Sequence, residues 1–255
     1  VLSLAEFPYL IREHSISYAP SATVAGILHT KEREGQFDST LTAFGDPIIS
    51  SPPMPRLPNT LTEICHLADL FNRGNLPIDW PERFDGGGLR LRTGHAATKT
   101  ELLEILTEGY SSRFIHLATH GILNPKSPEF SGLVLSGDSD SDGDNAWRTF
   151  EIFGVRMASE LVVLSACETG LGRLLDGEGV VGLTRAFLYA GADSVAVSLW
   201  KVADQSVPLM MRTFYQYMLD GQTKSEALRN AQLAMLQGDF VHPFFWAPFV
   251  LIGES

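Results

Sequence analysis

Two residues in this sequence are of types that perform covalent chemistry, and each closes a short apolar run. His120 ends "RFIHLATH" and is followed by Gly121, and Cys167 lies in "LVVLSACETGLG". A thiol and an imidazole within hydrogen-bond reach make a nucleophile and its base, and backbone N–H groups beside them can hold the oxyanion formed on a carbonyl. Gly121 has no Cβ, so its N–H can approach such an oxygen closely. Other site chemistries fit less well. His116 and His120 are four apart, yet "FIHLA" reads as a strand, whereas a zinc HExxH site needs a helix and a Glu. His116 therefore reads as a strand histidine with partners of its own. "SAC" is not GxSxG, which argues against a serine hydrolase elbow. From spacing alone, a thiol-imidazole pair stands beside a second reading: two unrelated side chains following buried strands of an ordinary α/β protein.

A pair can form only if the two strands are neighbours with their carboxyl ends opening on one crevice, where ligands of open α/β sheets sit. The runs at residues 114–118, 161–166 and 194–200 are almost unbroken in apolar character, as expected of parallel strands covered on both faces. Between the last two, "EGVVGLTRAFLYAG" reads as a helix closed by Gly191, giving a right-handed crossover. Thr98-Lys99-Thr100-Glu101 is a capping box ahead of Leu102, Leu103 and Leu106, and Thr223-Lys224-Ser225-Glu226 is another, ahead of "ALRNAQLAML". "DQSVPLMMRTFYQYMLDG" reads as a helix between Asp204 and Gly221, and "FFWAPFVLIG" as an edge or terminal strand with Pro248 at its start. Toward the N-terminus, "ISYAPSATVAGIL" and "LTAFGDPII" read as short strands and a helix, and "SSPPMPRLPN" as a proline-rich linker. In "LTEICHLADLF", Leu61, Ile64, Cys65, Ala68 and Phe71 recur at helical spacing, which makes Cys65 a core residue. The fold class is α/β, a mainly parallel β-sheet flanked by helices on both faces. One domain is expected over 1–255, with an N-terminal part to 95 and a catalytic core over 96–255.

With 30 acidic against 19 basic residues the net charge is -11, and no Lys/Arg cluster is present, so no direct nucleic-acid partner is expected. Two distant cysteines, Cys65 and Cys167, argue against a disulfide framework and fit a reducing, cytoplasmic setting. No signal-peptide pattern and no apolar run near the ~20 residues of a spanning helix is found, so no membrane association is expected. The start at Val1 suggests a fragment of a longer protein. In "DSDSDGDNAWRTFE", Asp140, Asp142, Asp144 and Glu151 fall at positions 1, 3, 5 and 12 of a calcium-loop template, but Asn145 replaces its Gly. An acidic surface loop is the competing account, and no cofactor is required.

"IHLATHG", "LVVLSACETGLG", "GEGVVGLTRAFLYAGADSVAVSLWKVAD" and "HPFFWAPFVLIG" together resemble a CHAT domain, as do "ISYAPSATV" and "LTAFGDP" upstream. The resemblance covers nearly the whole chain. It implies the three-layer fold of caspases and separases, and a cysteine endopeptidase with a His120–Cys167 dyad and the backbone N–H groups of Gly121 and Cys167 at the oxyanion. A substrate strand would lie on the edge offered by "VSLW", flanked by Ser198 and Trp200, with Ser165 and Glu168 lining its pocket. Asp204 stands either as a helix N-cap or facing that pocket, where it would favour a basic residue before the cut. No third acidic member is identified. The resemblance further implies a protein substrate, an upstream sensor, repeat domain or activator, and a role in bacterial cell death or antiphage defence. The rival is a non-catalytic interaction module on the same fold.

Overall fold

In a computed structural model, residues 3–30, 37–49, 54–72, 81–107, 109–137, 145–165, 178–200 and 205–255 are described. In chain order they form α1 (Ala22–Thr30), β1 (Ser39–Pro47), α2 (Pro58–Asn72), β2 (Arg83–Gly86), β3 (Leu89–Gly94), α3 (Lys99–Thr107), β4 (Ser112–Ala118), β5 (His120–Ile122), β6 (Gly132–Val134), β7 (Ala146–Arg148), α4 (Thr149–Ile152), β8 (Leu161–Leu164), α5 (Glu178–Ala190), β9 (Ser194–Ser198), α6 (Val207–Leu219), α7 (Lys224–Gln237) and β10 (Phe249–Gly253). Seven strands share one sheet in the order β10-β9-β8-β4-β1-β3-β2, and β5-β6-β7 form a small antiparallel sheet. The five inner strands run parallel, and β10 and β2 are antiparallel edges. β1 is the partner of β4, so strands from before and after residue 95 belong to the same sheet.

Period-two alternation divides each inner strand between two apolar layers. Leu41, Ala43, Phe114, Leu161 and Val163 face α2, α6 and α7. Phe44, Ile115, Leu117, Val162 and Leu164 face α3 and α5, with Trp147 of β7 stacked edge-on against Phe187. Sheet and two helical layers thus make the three-layer α/β architecture that the motifs imply. α2 approaches the end of β1 closely because Gly45 lies there; a Cβ on it would sit 2.5 Å from Ile64 Cγ1.

The helix ends follow their sequence signals. Thr223 Oγ1 accepts from Glu226 N–H while the Glu226 carboxylate accepts from Thr223, a complete capping box. Thr223→Ala is expected to cost about 1 kcal/mol in urea unfolding. Thr98 Oγ1 accepts from Glu101 N–H at 3.1 Å, but the Glu101 carboxylate instead pairs with Arg92 and Arg83. Gly191, at φ +122, closes α5, where a Cβ would lie 2.1 Å from the Met157 carbonyl oxygen.

Three local differences have physical causes. Cys65 is half-buried: the covered stripe of α2 passes through Glu63, Ile64, Leu67 and Ala68, leaving Leu61, Cys65 and Phe71 on its flanks. Burial pushes the Cys65 thiol up, which disfavours its thiolate. The β2-β3 hairpin carries no plain apolar alternation because Arg92, buried between the carboxylates of Asp85 and Glu101, occupies an interior position. His120-Gly121 begins β5 directly after Thr119, whose hydroxyl donates to the Val134 carbonyl and joins the two sheets.

Candidate active site

The carboxyl ends of β4 and β8 lie side by side, with Leu117 opposite Leu164 and Ser165 N–H donating to the Leu117 carbonyl at 3.0 Å. His120 follows the first strand and Cys167 the second, which is the adjacency a thiol-imidazole pair requires. Cys167 and Glu168 lie outside the described residues, as does Asp204.

His120 is 1% exposed and pairs across β5-β6 with Val134, while Gly121 pairs with Leu133. Its Nε2 lies 2.8 Å from the carbonyl oxygen of Pro55. A carbonyl only accepts, so Nε2 carries the proton and a neutral ring keeps its lone pair on Nδ1. Pro55 belongs to the proline-rich stretch before α2, and its contribution comes from the backbone. The neighbouring Arg56 donates through Nε at 2.9 Å, and also through Nη2, to the carboxylate of Asp46 at the end of β1.

Below the strand ends lies a second polar group, fully enclosed. The Glu63 carboxylate accepts from His116 Nε2 at 2.9 Å and from the Ser165 hydroxyl at 3.1 Å, and His116 Nδ1 lies 3.1 Å from the Tyr215 hydroxyl. These four side chains are between 0 and 1% exposed. Burial, and secondly the Glu63 charge, push the Tyr215 hydroxyl well above its usual value, so it stays protonated. His116 is thus a strand histidine with its own partners, as expected. Ser165, expected in the substrate pocket, is instead buried with its hydroxyl committed to Glu63.

The expected substrate edge needs correction. β9 is an inner strand: β10 pairs with it antiparallel as far as Phe249 opposite Ser198, and Leu199 N–H donates to the Pro248 carbonyl. Ser198 is buried, and the Trp200 indole N–H donates to the Phe244 carbonyl at 3.3 Å. The N-cap position of α6 falls on Ser206, not on Asp204, and the Ser206 side chain makes no capping hydrogen bond. The calcium reading also loses a ligand. Glu151 accepts from Lys99 Nζ at 2.6 Å and from Arg148 N–H at 2.8 Å, while Asp140, Asp142 and Asp144 lie outside the described residues. Among the described residues, no group of three or more His, Cys, Asp or Glu could hold a metal ion, and no helix is long and apolar enough to cross a membrane.

Pro55, Asp46, Arg56 and Glu63 were not singled out by sequence. Glu63 had a readable signal, a carboxylate four residues before Leu67 on the apolar stripe of its helix.

Residues 5–254 match the CHAT domain family. Tetratricopeptide repeat protein 28 of Mus musculus is 38% identical over 66% of this chain, and that of Homo sapiens is 28% identical over the same share. The chain spans 8% of the length of each. Among solved structures, separase in the Saccharomyces cerevisiae separase-securin complex aligns with a TM-score of 0.56 at 15% identity, covering 94% of this chain and 14% of that one. The Arg specific cysteine proteinase gingipain R aligns with a TM-score of 0.50 at 10% identity, covering 86% and 46% respectively. The fold is therefore shared with caspase-like peptidases of low sequence similarity.

Proposed function

This chain belongs to the CHAT domain family, and we propose that it is a cysteine endopeptidase domain in which His120 and Cys167 form the catalytic dyad. The observation that carries this reading is His120 itself: two residues beyond β4, beside the strand that leads to Cys167, with Nε2 held by the Pro55 carbonyl. In that tautomer Nδ1 is the nitrogen able to take the thiol proton. The thiolate attacks the scissile carbonyl while the N–H groups of Gly121 and Cys167 stabilise the oxyanion. The imidazolium protonates the departing amine, and water then releases the acyl group, restoring the thiol. A carbonyl in place of a third acidic residue orients the ring without adding charge.

An extended substrate would pair with the chain that follows Leu199, the last residue of this segment whose N–H donates to the Pro248 carbonyl among the described residues. Asp204, four residues past Trp200, would favour Lys or Arg before the cut. Similarity to tetratricopeptide repeat proteins supports a repeat domain as regulatory partner, and a cytoplasmic setting with a role in cell death or antiphage defence belongs to the same proposal. That similarity also favours the rival, a non-catalytic interaction module.

An acyloxymethyl ketone probe with a basic side chain separates the two. Wild-type protein should be labelled once, at Cys167, with no labelling of Cys167→Ala at an unchanged thermal midpoint. Absence of labelling in wild type, alone and with its natural partner proteins, would establish the interaction module.

A further inference from the structure

We propose that Asp46 and Arg56 form a clamp that sets the orientation and tautomer of His120 by fixing the carbonyl of Pro55. Its catalytic consequence rests on the dyad reading above; its structural content does not. Residues 54–57 have no regular secondary structure, and Pro55 has no N–H with which to anchor itself. The charged tie on this stretch is the bidentate fork from Arg56 to Asp46, beside a longer bond from Met54 N–H to the Ile49 carbonyl at 3.5 Å. The two partners are unequal in environment. The Arg56 side chain is 57% exposed, whereas that of Asp46 is 2% exposed, so the guanidinium reaches inward from the surface to a fixed carboxylate.

Asp46 is itself held in place. At φ +48 it is the only non-glycine residue with positive φ among the described residues, a conformation that persists where surrounding structure determines it. Its N–H donates to Thr60 Oγ1 at 2.8 Å, and that hydroxyl donates to the Leu57 carbonyl at 2.7 Å. The end of β1, the start of α2 and residues 56–57, which follow Pro55, are thus tied to one another. The inward-facing group of this stretch is the Pro55 carbonyl on His120 Nε2. Asp46 and Arg56 touch no reacting atom and are positioning residues.

The test is imidazole NMR on the full chain labelled with 15N-histidine, His120 being assigned by its loss in His120→Gln. Wild type should show the Nε2–H tautomer with a slowly exchanging ring proton. Arg56→Gln removes the fork at an exposed position, and Asp46→Asn removes the charge while tolerating positive φ. In both, the Nε2–H population of His120 should fall and exchange of its ring proton should quicken by about three- to tenfold, the range set by one hydrogen bond of ordinary strength. The His116 resonances, held by Glu63, should not move, and Arg56→Lys should be intermediate. An unchanged His120 tautomer and exchange rate in both variants would overturn the clamp, whatever the activity. In protein that labels, kcat should fall in step with KM unchanged; wild type that never labels would overturn the dyad and leave the NMR result to decide the clamp.

Discussion

His120→Gln is expected to lower kcat/KM on a fluorogenic peptide by at least about a hundredfold, the lower end of what a positioned general base contributes. Thermal stability should hardly change. Glutamine is close to histidine in length, and its amide NH2 can donate to the Pro55 carbonyl as Nε2 does, so the buried hydrogen bond survives. An amide cannot take the thiol proton, so what is lost is the chemistry alone. His120→Ala should lose the same activity and also unfold earlier. It empties a site that is 1% exposed and leaves a buried carbonyl without its donor, a penalty of about 1–3 kcal/mol. Calorimetry beside steady-state kinetics distinguishes the two variants. Equal activity of His120→Gln and wild type would remove His120 from the mechanism.

What sequence could show about this site depended on how each group acts. The roles proposed for His120, Gly121 and Cys167 follow from residue type, and the apolar runs before them announce strands wherever those strands pair. The adjacency of β4 and β8 came from matching whole motifs, since pairing order is long-range information that no local pattern holds. The covering of β9 by β10 is long-range in the same way, so "VSLW" reads as an open edge while Ser198 is interior. Pro55 acts through its carbonyl, which every residue possesses, and a proline-rich stretch reads as a linker. Arg92 and Glu63 are hidden because buried polar groups satisfied by partners distant in sequence look like surface residues until the fold brings those partners close.

Glu63→Ala should be the most destabilising single change at the four-residue cluster under the site, lowering the free energy of unfolding by about 2–6 kcal/mol, from about 1–3 kcal/mol for each of the two buried donors left without an acceptor. It strands the His116 Nε2–H and the Ser165 hydroxyl together, in a place no water reaches from the surface. Ser165→Ala removes one donor and keeps the other, so about 1–3 kcal/mol is expected, and Tyr215→Phe, losing a single hydroxyl bond, about 1 kcal/mol. Urea unfolding ranks the three; a Glu63→Ala cost no greater than that of Tyr215→Phe would mean that the carboxylate is not the centre of the cluster. Because burying charge is itself unfavourable, replacing the whole cluster at once with Glu63→Leu, His116→Leu, Ser165→Ala and Tyr215→Phe should recover most of the stability lost in Glu63→Ala. Turnover then reveals why a buried carboxylate stands there. Ser165 is two residues before Cys167, and its bond to Glu63 ties the end of β8 to α2, the helix whose Thr60 accepts from Asp46 N–H at the end of β1. If the cluster aligns nucleophile and base, the apolar quadruple variant should be stable and slow; if it only packs the core, stability and activity should return together.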